Sequence, residues 1–415
     1  MKTAILHYSA PPVIGGVEAV IQAHAVRFAA AGLPLTVIAG RGQAAALPRG
    51  VDFISVPEMD TLHPEIAAAT AILNTGQVPK DFAGLAGGLE GQLRPLLAGF
   101  DHLIVHNVLT KHFNLPLTAA LFRLVKDGTV KHCVAWCHDL TWSSPNSRDQ
   151  VFPAYPWELL KTPLPNTTYV TISRQRRKEM SETFGFPAQT VRVIYNGVDP
   201  QTLLGLTDEG LALIDRLGLW GADLVLLMPV RVTRAKNIEY AMKVLAALKK
   251  LDCRPKIVLT GPPDPHDPDS MVYYQSLLDL RRELGLEDAF RFVYESGPRP
   301  DAGHTIGLEV VYDLYRVADA LFMPSHREGF GMPVLEAGLA GLPVICTGVP
   351  AARDLAREDA LIFAHNIDPD WLARQILKRV NGSPEHRLRV RARQNYTWQA
   401  IFERDILPLL EGGQS

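Results

Sequence analysis

Cysteine is scarce, with four in 415 residues and no pattern of pairs. Cys133, Cys137, Cys253 and Cys346 sit mostly in apolar, strand-like runs. Buried reduced thiols are the expected reading, which fits a reducing cytoplasm. Cys133 and Cys137 can share one face of a strand, but no second pair completes a zinc site. Neither sign of charge is in excess: 42 Lys and Arg stand against 44 Asp and Glu, a formal net charge of −2. That gives no whole-molecule case for nucleic-acid binding. No uninterrupted apolar run is long enough to cross a bilayer. The start, Met1 to Tyr8, runs into a strand pattern without a long apolar segment, so no signal peptide is read and a cytoplasmic location is expected. Low-complexity tracts and short-period repeats are also missing.

What is present is a well-supplied globular chain. Its length calls for two domains, and 47% hydrophobic with 21% charged residues describes a folded protein. The front half alternates short apolar runs with amphipathic ones. Strands are predicted at Ala4–His7, Leu35–Ala39, His102–His106, His132–Cys137, Tyr169–Ile172 and Val191–Ile194, with helices at Val17–Ala31, Leu115–Lys126 and Ser173–Phe184. The cluster Asn196-Gly197-Val198-Asp199-Pro200 closes this half. A second alternation follows, with strands at Leu224–Met228, Lys256–Thr260, Phe290–Val293, Ala320–Met323 and Pro343–Cys346. Its helices are predicted at Ile238–Leu251, Tyr273–Leu284, Leu308–Val317 and Pro333–Ala340. Such alternation implies an α/β protein with two doubly wound, Rossmann-like domains. The expected division is 1–200 and 201–395, with a terminal helix over 396–415. Ligands of open α/β sheets sit beyond the carboxyl ends of the strands, so two such domains facing each other would line a cleft with their motifs.

The densest motif is Pro324-Ser325-His326-Arg327-Glu328-Gly329-Phe330-Gly331-Met332-Pro333-Val334-Leu335-Glu336-Ala337. Two carboxylates bracket a glycine-rich turn between a buried strand and a helix start. Free N–H groups and the helix dipole favour an anion there. Two added acids suit a phosphorylated sugar better than a bare phosphate, because acids accept from hydroxyls. Leu226 to Asn237 carries Arg231, Arg234 and Lys236 to the rim of a strand just before a helix. Cations oppose the dipole at that end, and a bound polyanion would remove the conflict. Arg231 and Lys236 are the pair expected on a diphosphate, one gripping it bidentately and one as a point charge. A solvated basic turn is the competing reading.

Other candidates carry their alternatives with them. Ser9 to Glu18 ends in Gly15-Gly16 at a helix start, where a phosphate can approach the backbone, although a plain tight turn reads as well. The pattern is not GxGxxG, which excludes the dinucleotide fingerprint. His138 follows a strand at the sheet's carboxyl edge and is either a site residue or a hydrogen-bonded structural histidine. Asp267-Pro268-Asp269 matches the D-x-D pattern of metal-held nucleotide sugars, but its prolines favour a stiff loop in which Asp269 or Ser270 caps the next helix. Trp136, Trp142, Phe152, Tyr155 and Trp157 crowd the region around His138, where packing is their commoner use. The run Arg174, Arg176, Arg177 and Lys178 reads as a solvated face, with an anionic acceptor or lipid surface as the alternative.

Taken in order, these pieces resemble a retaining family-4 glycosyltransferase (glycosyl transferases group 1) of the GT-B fold. Glu328 through Glu336 resembles the family's E-x7-E signature, and Arg231 with Lys236 its R-x4-K diphosphate clamp. Asn196-Gly197-Val198-Asp199, Ser173, Gly15-Gly16 and the Thr397-Trp398 helix also stand where the family has them. The last implies a C-terminal helix that crosses back to the front domain. The resemblance implies that Glu328 holds donor-sugar hydroxyls and Glu336 the ribose hydroxyls. Gly329, Phe330, Gly331, Met332 and Pro333 would bring backbone groups to the sugar and diphosphate. Gly16 would approach the phosphates or acceptor, and His138 the sugar's hydroxymethyl group. The nucleobase would lie near Gly261 and Tyr294. Where members of the family carry Gly-Gly and a Glu after the strand at Val344–Cys346, this chain has Val349-Pro350-Ala351-Ala352-Arg353-Asp354.

The implied reaction moves a hexose from UDP or GDP to an acceptor hydroxyl with retention, by a front-face path without metal or other cofactor. The acceptor is expected to be a sugar or small hydroxyl compound rather than a lipid, since no basic amphipathic helix marks a membrane surface. A nucleotide-sugar epimerase and a non-catalytic sugar-nucleotide binder are the rival readings.

Overall fold

The structure, a computed structural model, describes residues 1–299 and 302–412. It divides into two units, one formed by Met1–Gly197 with the tail from Trp398, the other by Val198–Thr397. The sequence places these boundaries at 200 and 396. The chain crosses at a pair of short contacts, where Val198 bridges Thr397 and its N–H donates to the Tyr396 carbonyl.

In the first unit β1 (Thr3–Ser9), β2 (Leu35–Arg41), β3 (Val51–Ser55), β4 (His102–His106), β5 (Cys133–Cys137), β6 (Thr167–Thr171) and β7 (Arg192–Val193) form one sheet. The order is β3-β2-β1-β4-β5-β6-β7 and every pairing is parallel. Its helices are α1 (Gly16–Ala30), α2 (Pro64–Leu73), α3 (Phe82–Leu97), α4 (Leu115–Lys126) and α5 (Arg174–Phe184). In the second unit, helices α6 (Pro200–Leu204) and α7 (Asp208–Leu217) precede a parallel sheet in the order β10-β9-β8-β11-β12-β13. Those strands are β8 (Leu224–Met228), β9 (Pro255–Leu259), β10 (Phe290–Phe292), β11 (Ala320–Met323), β12 (Val344–Thr347) and β13 (Leu361–Phe363). Between and after them lie α8 (Ile238–Lys249), α9 (Ser270–Glu283), α10 (Leu308–Val317), α11 (Met332–Leu339), α12 (Pro350–Ala356), α13 (Pro369–Gly382) and α14 (Pro384–Asn395). Strands β4, β5, β8 and β11 are buried throughout, as central parallel strands with helices on both faces must be.

Each sheet reverses direction beside its first strand, between β1 and β4 and between β8 and β11. These are the topological switch points where loops part and ligands of doubly wound sheets bind.

After Thr397 the chain returns to the first unit through α15 (Trp398–Ile401), a π-helical turn at Phe402–Ile406 and α16 (Leu407–Glu411). Ile401, Phe402, Ile406, Leu409 and Leu410 join the core built by Ile5, Ile21, Phe28 and Val37. The crossing-back helix is therefore present, although residues 413–415 of its expected span lie outside the described residues.

Several elements differ from the sequence expectation. The run from Gln43 to Leu97 holds β3, α2 and α3, none of which was predicted. The glycines of α3 lower helix propensity, yet Phe82, Ala86, Leu89, Leu93 and Leu97 recur on one buried face. The strand expected to reach Val293 stops at Phe292, where a 3₁₀ turn begins. Asp269 stands at the start of α9 without a side-chain cap, and Asp267 instead accepts from the Asp269 N–H at 3.0 Å. Packing claims Trp136 and Trp157, which are fully buried, while Tyr155 stays half exposed. Arg176 is not a bare solvated cation, because it pairs with Asp139 and Glu179. All four cysteines are free. Burial pushes the Cys133 and Cys137 thiols up to about 12, so neither is a nucleophile.

Candidate functional site

Most of the expected site residues fall in the second unit, around its switch point. Strand β8 delivers the segment from Pro229 to Asn237, and its neighbour β11 delivers Pro324 to Gly331, with Ala320 and Leu321 paired to Leu226 and Leu227. Two cross-links lock these loops together. Asn237, in the left-handed region at φ 53°, donates its side-chain amide to the Pro324 carbonyl at 3.1 Å. The His326 N–H donates to the Ala235 carbonyl at 2.8 Å.

The result is an ion pair between residues 92 positions apart. Lys236 Nζ lies 2.8 Å from each oxygen of Glu328. Only 19% of the lysine side chain and 8% of the glutamate side chain are exposed. Glu328 is thus held in one orientation, with lone pairs left for other donors, and Lys236 keeps hydrogen-bonding capacity beyond the pair.

Arg231 stands apart, 58% exposed, with the Asp264 carboxylate 3.8 Å away. Its loop is fastened to the one after β9. Gly261 donates its N–H to the Val230 carbonyl, and Val232 bridges Pro263. A Cβ on Gly261 would meet that carbonyl at 2.5 Å and Arg231 Cα at 2.8 Å, so glycine is required there by the approach of two backbones. The third cation, Arg234, is engaged elsewhere, with its guanidinium 4.5 Å from the centre of the Tyr273 ring.

Past Glu328 the turn reaches Gly331 at φ 89°, where a side chain would be strained, and α11 begins without a side-chain cap. Gly329 opens onto free space, Phe330 and Met332 are exposed, and Pro333 occupies the first turn. Glu336 accepts a 2.7 Å hydrogen bond from the Tyr315 hydroxyl of α10. Burial raises the Tyr315 pKa, so the hydroxyl remains a donor. Tyr294, in the 3₁₀ turn beyond β10, has its carbonyl bonded by the His304 N–H at 2.8 Å.

Gly16 and His138 belong to the first unit. Helix α1 starts at Gly16 without a side-chain cap, and Glu18 in its first turn accepts from the Ser9 hydroxyl. A Cβ on Gly16 would touch nothing, so the protein itself does not demand glycine there. His138 is nearly enclosed. Its Nε2 lies 3.0 Å from His106 Nδ1, and its backbone N–H donates to Asn107 Oδ1 at 2.8 Å. Burial, with the neighbouring His7 ring, lowers its pKa to about 4 against the pull of Asp139. Both its ring and its backbone are thus hydrogen-bonded within the first unit.

Sequence reasoning did not single out Tyr315, Asn237, His106 or Asn107. The two asparagines carry a faint signal, since Asn tolerates the left-handed conformation that Asn107 adopts just after β4 and Asn237 just before α8. Asp267 and Asp264 both accept from backbone N–H groups two residues ahead. Among the described residues no group of three or more His, Cys, Asp or Glu is placed to hold a metal ion.

Residues 14–202 match the family model described as Glycosyltransferase Family 4, and residues 214–396 match Glycosyl transferases group 1. An uncharacterized glycosyltransferase, MJ1607, of Methanocaldococcus jannaschii is 27% identical over 49% of this chain and 48% of its own. Mannosylglucosylglycerate synthase of Petrotoga mobilis is 25% identical over 62% of this chain and 61% of its own. A D-inositol 3-phosphate glycosyltransferase of Stackebrandtia nassauensis is 29% identical over 52% and 46%. The chain thus spans about half to three-fifths of the curated relatives it matches. A solved glycosyltransferase from Rickettsia africae aligns over 99% of this chain and 98% of its own, at 17% identity and a TM-score of 0.39.

Proposed function

The chain belongs to the family-4, group 1 glycosyltransferases, and from that premise we propose that it transfers a hexose from a nucleoside diphosphate to an acceptor hydroxyl with retention. The observation that carries this reading is the enclosed Lys236–Glu328 pair at the second switch point, with Arg231 on the adjoining loop. A sugar diphosphate needs both signs of charge side by side. Cations must meet the diphosphate, and a fixed carboxylate must meet the sugar hydroxyls.

In this reading Glu328 accepts from hydroxyls of the donor sugar and Glu336 from those of the ribose. As the bond between the anomeric carbon and the phosphate oxygen breaks, negative charge grows on the leaving diphosphate. Lys236, Arg231 and the uncapped start of α11 are preorganised to meet it. The acceptor hydroxyl attacks from the face the diphosphate leaves, and its proton passes to the leaving phosphate oxygen. No carboxylate is assigned as a covalent nucleophile, and Glu328 is instead held by Lys236 as an acceptor for hydroxyls. The cations and helix start provide the electrostatics, and no metal step is required. Gly261 and Tyr294 flank the base, which is uracil or guanine. Gly16 and His138 contribute recognition from the first unit. The proposed acceptor is a sugar or small hydroxyl compound, and the proposed location is the cytoplasm.

The test is nucleotide release from UDP-hexoses and GDP-hexoses, with and without acceptor sugars. Release that depends on an acceptor, giving a product of unchanged anomeric configuration, is expected. Conversion of the donor sugar without any acceptor would instead identify an epimerase. Binding without turnover across the panel would identify a sugar-nucleotide binder. Activity retained in excess EDTA is expected, whereas recovery only with Mg²⁺ would return Asp267 and Asp269 to consideration.

A further inference from the structure

Imidazole rings line the switch point of the first unit from the sheet into the core. His7 Nδ1 donates to the His106 carbonyl at 2.9 Å, His106 and His138 stack with ring centres 5.3 Å apart, and His24 lies 5.5 Å beyond His106. We propose that His106 is a positioning residue that holds His138 in the tautomer protonated on Nδ1, so that His138 presents an N–H donor to a substrate hydroxyl. The substrate half of this rests on the glycosyltransfer reading. The tautomer half does not.

Two neutral rings share the 3.0 Å contact between His106 Nδ1 and His138 Nε2. Burial keeps both rings neutral near pH 7, His106 well below its ordinary value and His138 at about 4. One proton therefore lies in the contact, and two arrangements remain. If His138 Nε2 donates, the proton of His106 must sit on its own Nε2, which is buried without a partner. If His106 Nδ1 donates, that Nε2 carries only a lone pair. A buried N–H without an acceptor is the rarer and costlier orphan.

The surroundings favour the same choice. The Trp136 ring is 5.7 Å from His106, and its Nε1–H is also buried without an acceptor. This enclosed group is already short of acceptors, so a further N–H would worsen it and a lone pair would ease it. With His106 donating, the His138 proton belongs on Nδ1, which has no hydrogen-bond partner among the described residues and is not one of the fully enclosed orphans. Asn107 accepts from the backbone N–H groups of both His138 and Asp139, at 2.8 and 3.2 Å. The end of β4 thereby sets both the position of His138 and its proton, as tautomers are set by the bond on the opposite nitrogen.

Long-range proton–nitrogen correlations on the full chain, labelled at histidine nitrogens, read the tautomer directly. The His138 proton is expected on Nδ1, and finding it on Nε2 in the unaltered protein overturns the proposal without any variant. His106→Leu should move that proton toward Nε2, while His106→Asn, whose amide N–H stands near the position of Nδ1, should keep it. An unchanged tautomer in a folded His106→Leu protein removes the positioning role. In the donor assay kcat/KM should fall about 10- to 100-fold in His106→Leu, by analogy with partners that orient metal-ligating histidines, and recover in His106→Asn. Full turnover in both His106→Leu and His138→Ala would remove the substrate half. Acceptor-dependent release by the unaltered protein would still support transfer itself.

Discussion

Both sheets reverse beside their first strand, yet the two switch points are furnished differently. The second is charged, with Lys236 locked on Glu328 and Arg231 reaching outward. The first is lined by His7, His106 and His138, all pushed below their ordinary pKa by burial, with Gly15-Gly16 at the adjoining helix start. One topology thus positions two kinds of chemistry. The strand order says where a ligand can sit, and the loop residues say what that ligand must be. In the proposed reaction the charged crevice would take the diphosphate, and the histidine-lined one would take hydroxyls.

The contrast can be broken most sharply at Arg231. Its replacement by alanine should lower kcat by about 10²- to 10³-fold, the usual effect of losing one charge-stabilising donor. Near-normal turnover in the folded variant would show that the second switch point does not work through charge. Lys236→Ala should act on folding as well. It leaves Glu328 enclosed without its partner, and denaturant unfolding should report a loss of up to about 3 kcal/mol, the low end for a broken buried pair. Lys236→Met with Glu328→Leu should recover much of that stability but no activity.

Acid separates the units next. His24 and His138 hold folded values of about 3 and about 4, chiefly because they are buried. The folded first unit therefore binds fewer protons than its unfolded chain below the ordinary value of 6.5. Its stability is fully present above that value and falls as pH drops toward 4, by about 1.4 kcal/mol per pH unit for each such histidine. In the second unit burial opposes ionisation of Asp223, but Arg254 and Gln394 hold it at about 2, so its contribution is lost only below 3.8. Hydrogen exchange between pH 7 and 4.5 should open β4 and β5 before β8 and β11. Equal loss in both sheets would end the distinction. The smallest effects belong to two glycines. Gly331→Ala, at φ 89°, should lower stability by about 1–2 kcal/mol. Gly16→Ala meets nothing and should leave the melting temperature alone while weakening turnover. A stability loss at Gly16 would mean that its backbone, not a ligand, explains the glycine.

Much of this contrast could be read from residue order. The alternation predicted both sheets because buried parallel strands are nearly continuous apolar runs, and Arg231, Lys236 and Glu328 stood out in the loops after strands, with Glu336 in the helix beyond. The Lys236–Glu328 pair could not be read, because it depends on β8 and β11 becoming neighbours across 92 residues. Helix α3 was hidden by Gly84, Gly87, Gly88 and Gly91, which all open onto free space while the apolar residues between them face inward. Strand β3 has only Val51 buried, so its apolar signal is thin. Strand β13 is three residues long, too short for a periodic pattern. His106 looked like one more strand residue, since nothing local announces a ring-to-ring bond.

The return of residues 398–411 to the first unit has a consequence for synthesis. Ile401, Phe402, Ile406, Leu409 and Leu410 fill one side of a core whose other members were translated hundreds of residues earlier. The second unit, by contrast, is one uninterrupted stretch from Val198 to Thr397. On the ribosome it can close as soon as it emerges, while the first unit waits with an apolar face uncovered until the tail appears. The unit begun first is therefore finished last. Through that interval its uncovered apolar face is open to chaperones.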